Sequence, residues 1–289
     1  MAISLHLPMI YQKSKEEGKE FYEVLDYYLE MIRRIHLRTY DYLGKLKASI
    51  NPIGFMEGGF YLGNLGPDDC IEPVIKTWTA SFGITALNEL QQLHNQHSLV
   101  EDNQFAKDTM DHILQKLEQF KKEDGRLYAV YGTPAESLCG TQIQQFRKKY
   151  GVIKNVSDRD YVSNSFHCHV SENITGMEKQ DIEKELYDKF AGGRIQYVKY
   201  PSGYNKLALK TMVRRAMKLG FYEGVNLSLN FCYDCGHTTT SYTETCESCG
   251  SHNMETVERM NGYLSYKRIN GTTRLNDAKL AEIKDRVSM

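Results

Sequence analysis

Apolar residues recur at two periods along this chain, and the switching between them sets its organisation. Residues 2–11 (AISLHLPMIY) read as a short buried strand stopped by Pro8. From residue 14 to residue 50, Phe21, Val24, Leu25, Tyr28, Leu29, Ile32 and Ile35 return every three or four positions, which predicts one long or broken helix packed on that strand. Residues 71–93 read as an amphipathic helix around Trp78, Phe82 and Leu87, weakened by Gly83. Another helix is expected over 105–122, with Met110, Ile113, Leu114 and Leu117 on one face. RLYAVY (126–131) is a compact apolar strand, and DYVSNSFHCHV (160–170) a second, with His167 and His169 on one of its faces. A charged helix over 178–190 stops at Gly192-Gly193. A strand over 194–200, a helix over 205–219 ended by Gly220, and a strand over 226–231 complete the series. The glycine-rich stretch 51–66 holds a short strand near 59–62 but no GxxxxGK phosphate cradle. Five or six strands thus alternate with helices, the pattern of a parallel α/β arrangement, half a barrel in extent.

Composition narrows this picture. At 289 residues and 41% hydrophobic content the chain can bury a real core, as one large domain or two. Basic and acidic residues nearly balance, 36 against 37, so nothing marks a nonspecific nucleic-acid or membrane surface. No apolar run approaches the ~20 residues needed to span a bilayer, and the start resembles no signal peptide, so a cytoplasmic protein is expected. Of seven cysteines, four fall in pairs; Cys70, Cys139 and Cys168 are scattered and read as buried apolar residues in a reducing compartment.

The paired cysteines carry the strongest local signal. Cys232 and Cys235, then Cys246 and Cys249, form two CxxC turns, each followed at once by glycine. Such turns aim two sulfurs at one point, and four thiolates suit a tetrahedral Zn²⁺, so a zinc ribbon is expected. Asp234, Glu244, Glu247, Glu255 and Glu258 around it argue against direct DNA binding. Beyond the ribbon, Asn261-Gly262 lies between METVERM and YLSYKRI, a hairpin signal in which Gly262 needs only to be a turn residue. After RLYAVY, Thr133 and Glu136 have capping-box spacing, with Pro134 at the first helical position. A helix N-terminus facing the end of a parallel strand is also a ready anion site. His167 and His169 lack a third ligand nearby and read as the polar lining of a cavity.

Taken together, the ribbon, the following Arg259-x-x-Gly262-Tyr263-Leu264-Ser265, and RLNDAKLAEIKDRV at the end resemble the C-terminus of anaerobic (class III) ribonucleoside-triphosphate reductases. YGTPAES (131–137), SNSFH (163–167), SFGITALNEL (81–90) and ISLHLP (3–8) are similar to further segments of that family, so the resemblance covers essentially the whole chain. It implies the second half of a ten-stranded α/β barrel over residues 1–230, with the zinc ribbon and glycyl-radical loop over 231–289. Gly262 would be the radical site, because a Cα radical between an amide nitrogen and a carbonyl is delocalised and no side chain obstructs it. Thr133, Ala135, Glu136 and Ser137 would contact substrate. His6 stands where the family usually has an active-site asparagine, which leaves the reductant open between formate and a thioredoxin-like protein. The family's finger-loop cysteine precedes the ISLHLP strand, where this chain has Met1; neither Cys70, Cys139 nor Cys168 replaces it. The resemblance therefore implies one part of a split, oligomeric enzyme that reduces ribonucleoside triphosphates for DNA replication. A complementary N-terminal chain would supply the thiol, and a radical-SAM iron–sulfur activating protein would oxidise Gly262. A radical spare part for damaged reductase, or a noncatalytic zinc-ribbon interaction protein or fragment, are the alternatives.

Overall fold

The computed structural model describes residues 2–57, 64–135, 138–199, 205–226, 229–240, 243–259, 264–268 and 275–287. The strand expected near 59–62 lies outside them. Strand β1 (Ala2–His6) passes directly into helix α1 (Leu7–Glu17), with Pro8 in its first turn. A proline there gives up no hydrogen bond, so Pro8 starts a helix instead of stopping a strand. Gly18, at φ 63°, closes α1, and α2 (Phe21–Gly44) follows as the second piece of a broken helix. A 3-10 turn (Ala48–Ile50) and two single-turn helices, α3 (Pro52–Phe55) and α4 (Glu72–Ile75), lead to β2 (Thr79–Thr85).

This β2 corrects the helix expected over 71–93: only α4 and α5 (Leu87–Asn95) at its two ends are helical. Strand β2 is the centre of a three-stranded parallel sheet, between β1 and β3 (Leu127–Gly132), with Ser4 opposite Gly83 and Gly83 opposite Tyr131. A central parallel strand is enclosed on both faces, so its apolar run carries no period of two.

The two faces of the sheet differ in chemistry. Leu5, Ala80, Phe82, Ile84, Tyr128 and Val130 are buried with the helices α1, α2 and α6 (Gln104–Asp124) in the main core. Across the α2–α6 contact, Arg33 Nε and Nη2 grip the Asp124 carboxylate at 2.8 and 2.6 Å, and the Tyr128 hydroxyl donates to Asp124 at 2.8 Å. The opposite face holds Ser4, His6, Gly83, Thr85 and Thr133. There Ser4 Oγ meets Thr133 Oγ1 at 2.8 Å, across Gly83. A Cβ on Gly83 would stand 2.3 Å from both oxygens, so the absence of a side chain is what lets the two outer strands touch.

Helix α7 (Leu138–Tyr150) lies on this polar face: Gln142 donates to Thr85 Oγ1 at 3.0 Å, and Phe146 meets the His6 ring edge-on. It is described from Leu138 onward; Pro134 is not helical and Ala135 adopts φ 51°, so the helix start expected at Pro134 is corrected. Residues 160–170 are likewise not a strand. Their backbone groups instead serve the start of α5, with Ala86 N–H donating to Ser163 and Leu87 N–H to Ser165.

Past α8 (Gly176–Tyr187), capped by Thr175 and Glu178, Gly192 and Gly193 bond the free edge of β3. β4 (Gln196–Lys199), α9 (Lys206–Lys218) and β5 (Glu223–Asn226) form a second parallel pair with its helix. The strand expected over 226–231 divides: β5 belongs to this pair, and β6 (Leu229–Cys232) to an antiparallel sheet ordered β7 (Thr238–Thr239), β6, β8 (Met254–Arg259), β9 (Leu264–Arg268). Five parallel strands thus precede the ribbon among the described residues. Helix α10 (Asp277–Asp285) returns to the barrel side, Ala278 packing on Gly140 of α7, Tyr161 donating to Asp285 at 3.0 Å, and Val287 N–H bonding Val170. Its Glu282, fully buried, is neutralised by Lys279 and by Arg286 at 2.6 Å. No helix among the described residues is long and apolar enough to cross a membrane.

Candidate functional site

Two separate constellations stand out. The first is the cysteine cluster. Gly236 and Gly250 both take φ 74°, a left-handed turn that glycine adopts without strain. In each turn the glycine N–H returns to the first cysteine's carbonyl at 2.9 Å, Gly236 to Cys232 and Gly250 to Cys246. The two knuckles converge: Cys232 and Cys249 sulfurs are 3.7 Å apart, Cys235 and Cys246 3.6 Å, and all four lie within 4.8 Å of one another. These separations exceed a disulfide bond and suit four thiolates around one tetrahedral ion. Cys139 and Cys168, by contrast, are buried, and burial raises the Cys139 thiol to about 11. Cys70 departs from expectation in being exposed, its backbone bridged to Lys47 beside α4.

The second is a cavity of about 160 Å³ at the C-terminal end of β3. Tyr131, Thr133 and Pro134 form one wall, Asn164, Ser165 and His167 another, and Gly193 and Arg194 close it. The cavity sits where a parallel strand ends and its chain turns to a helix, the usual place for ligands in open α/β sheets. Ala135, buried, keeps its carbonyl for Cys139 N–H at 2.8 Å. The 163–167 wall is held from behind by Glu89 of α5, which accepts Ser163 N–H at 2.9 Å and Ser163 Oγ at 2.6 Å; burial raises the pKa of Glu89.

Of the residues singled out from sequence, Thr133 lines the cavity and Ala135 lies just past it. Glu136, Ser137 and Gly262 fall outside the described residues. Strands β8 and β9 flank Gly262, with Arg259 opposite Leu264 in antiparallel register. His6 lies elsewhere, in a groove along β1. Burial holds its imidazole at about 3, so the ring is neutral. The sequence reading missed Arg194 and Gly193, which enter only because the segment before β4 bends against β3. It had assigned His167 a lining role from the SFHCHV alternation, and His167 does line the cavity. His169 lines a different, smaller cavity with Cys168, Tyr197 and Arg286, where it bonds Ser171 Oγ at 2.8 Å and stacks on Tyr161.

A groove of about 690 Å³ follows the outer edge of β1, lined by Ile3, Leu5, Met9 and Ile10 with Met31 and Ile35 of α2. Met31 and Ile35 are 40% and 45% exposed, although the helical pattern had placed Ile35 on the packed face.

A family model described as anaerobic ribonucleoside-triphosphate reductase matches residues 1–289. The anaerobic ribonucleoside-triphosphate reductase of Haemophilus influenzae is 30% identical over 296 residues, covering 99% of this chain and 42% of that protein. That of Enterobacteria phage T4 is 29% identical over 299 residues, covering 99% and 48%. Among solved structures, an anaerobic ribonucleotide reductase superposes with a TM-score of 0.74 at 17% identity, over 100% of this chain and 44% of its own. The enzyme of Thermotoga maritima in complex with dATP and CTP does so with a TM-score of 0.70 at 19% identity, over 92% and 42%. The chain spans a little under half the length of the curated relatives it matches.

Proposed function

Because this chain belongs to the anaerobic ribonucleoside-triphosphate reductase family, we propose that it is the glycyl-radical-bearing part of such a reductase. It works with a complementary N-terminal half that carries the finger-loop cysteine on a separate chain. The observation that carries this reading is the family match over residues 1–289, which takes in the ribbon and Gly262. The groove beside β1 supports this reading, since it offers a complementary half a place to dock. Residues of this chain have three tasks. Cys232, Cys235, Cys246 and Cys249 would hold a structural zinc that fixes the strands on either side of Gly262. Gly262, once oxidised by a radical-SAM activating protein, would exchange hydrogen with the partner's thiol, which acts on the ribose. Thr133, Ala135, Glu136 and Ser137 would position the substrate's phosphates at the end of β3. His6 lines the β1 groove, at the seam where the complementary half would join. The reductant is formate or a thioredoxin-like protein.

The decisive experiment is electron paramagnetic resonance after anaerobic incubation with the activating protein, S-adenosylmethionine, reductant and the complementary half. A doublet from the one remaining α-hydrogen is expected, and air should then cut the backbone to leave a piece beginning near Tyr263. One observation favours a second reading: β8 and β9 pair antiparallel on both sides of Asn261-Gly262, as a plain hairpin requires. In that case neither doublet nor cleavage appears, and Gly262→Asn is tolerated. Turnover by this chain with activase and reductant, and no complementary half, would overturn the two-part reading.

A further inference from the structure

His167 belongs to the cavity wall, yet its ring is also tied to a buried charge network behind it. Its Nδ1 lies 3.2 Å from Glu183 Oε2, off the line of an ideal hydrogen bond, and both side chains are almost wholly enclosed. Glu183 has three further donors: Lys179 Nζ at 2.5 Å, the Cys168 N–H at 3.1 Å and Gln196 Nε2 at 3.4 Å. Burial works against this carboxylate, but the charge of Lys179 outweighs it and holds the pKa below the ordinary glutamate value. An ionised carboxylate can only accept, so the imidazole nitrogen turned toward it must carry hydrogen. Lys179 already supplies the compensating positive charge. A second buried cation would be unbalanced, and burial accordingly lowers the imidazole pKa, against the pull of Glu183. A neutral ring with hydrogen on Nδ1 has a bare Nε2.

We propose that His167 is a ligand-binding residue whose tautomer is fixed by Glu183, Lys179 and Gln196, so that Nε2 accepts a hydrogen bond from a hydroxyl of the molecule in the cavity. The assignment to a ribose hydroxyl rests on the reductase reading above. The surrounding packing supports a fixed ring: Phe166 and Tyr197 close on it with centroids at 4.5 and 4.6 Å. Selectivity follows from the chemistry, since a buried acceptor left unpaired penalises a ligand that lacks the hydroxyl.

The tautomer is read on the folded chain alone, by nitrogen NMR of protein carrying ¹⁵N-histidine, with His167→Gln assigning its signals. Protonated Nδ1 and bare Nε2 are expected across neutral pH, and Glu183→Gln should weaken that preference while His169 signals stay in place. An imidazolium, or hydrogen on Nε2, would sink the proposal. Binding is then read in the enzyme reconstituted with its complementary half. His167→Phe, which keeps the ring's bulk, should raise KM for the ribonucleotide roughly tenfold, the cost of one hydroxyl donor left unpaired in the cavity. His167→Gln, with an amide in its place, should recover part of that loss, and the Gly262 doublet should keep its yield in both. An unchanged KM in the phenylalanine variant overturns the hydroxyl contact. Wild-type enzyme without doublet or turnover instead strikes the reductase reading and the ribose assignment with it, while the tautomer is judged independently.

Discussion

Gly83 shows how much one missing methyl can decide. With Ser4 and Thr133 oxygens each 2.3 Å from the place of its Cβ, Gly83→Ala forces two strands apart or breaks their hydroxyl contact. A loss of about 1–3 kcal/mol is expected, seen as a lower urea midpoint with unchanged slope, and Ser4→Gly in the same chain should restore part of it. Arg33 poses an electrostatic counterpart. Its hydrogen bonds hold Asp124 below the ordinary aspartate value despite some burial, and the two side chains are 14% and 10% exposed. A depressed carboxylate stabilises the fold above its unfolded pKa of about 4, and that stability is lost as pH falls through the lower folded value. Arg33→Met should therefore cost about 3 kcal/mol at pH near 7 and clearly less in acid below the folded pKa, compared by urea unfolding at the two pH values. Neither effect is written in local sequence. Gly83 looks like a weak helix residue and Arg33 like a surface cation until the sheet brings Ser4 and Thr133 together, and α6 brings Asp124.

Legibility rises with how local the governing chemistry is. The ribbon could be read directly because a CxxCG turn is set by its own five residues, and both knuckles form with the same φ and the same return hydrogen bond. About one zinc per chain is expected by elemental analysis, and Cys246→Ser should release it and loosen the β6–β8 pairing. Protein that carries no metal, or a variant that keeps it, would remove zinc from the picture. Strand β2 could not be read in this way. Phe82 and Ile84 are fully enclosed on one face and Gly83 on the other, and the resulting apolar run fits a helix template as well as a strand. Residues 160–170 misled in the opposite sense: they alternate like a strand, but Ser165 takes φ 50° and their carbonyls are used by the first residues of α5. That Thr133 would line a cavity was legible because the strand end itself marks the place. Arg194 was not, since only the bend at Gly192-Gly193 carries it there.

At the scale of the molecule, the groove beside β1 and the cavity at the end of β3 lie on different sides of the sheet's first and third strands. Loss of a partner at one need not distort the other. A soluble complementary half should bind along β1 with a shift in sedimentation, and Ile35→Glu, on an exposed groove position, should weaken that association at least tenfold while leaving zinc content unchanged. Equal association by the variant would move the interface elsewhere. Helix α10 carries a different consequence. It follows Gly262 in the chain and braces the 160–170 segment through Tyr161, Asn164 and Val170, while its own Lys279 and Arg286 keep Glu282 neutralised. As long as the backbone is whole, the tether keeps this helix at high effective concentration against its seat. If Gly262 carries the radical proposed above and oxygen severs the chain there, the helix can leave with its charges already balanced, and the wall of the cavity loses its brace. Damage at one residue would then be read out as a loosened cavity wall and a freshly exposed apolar seat on α7, where Cys139 and Ile143 now pack against Ala278.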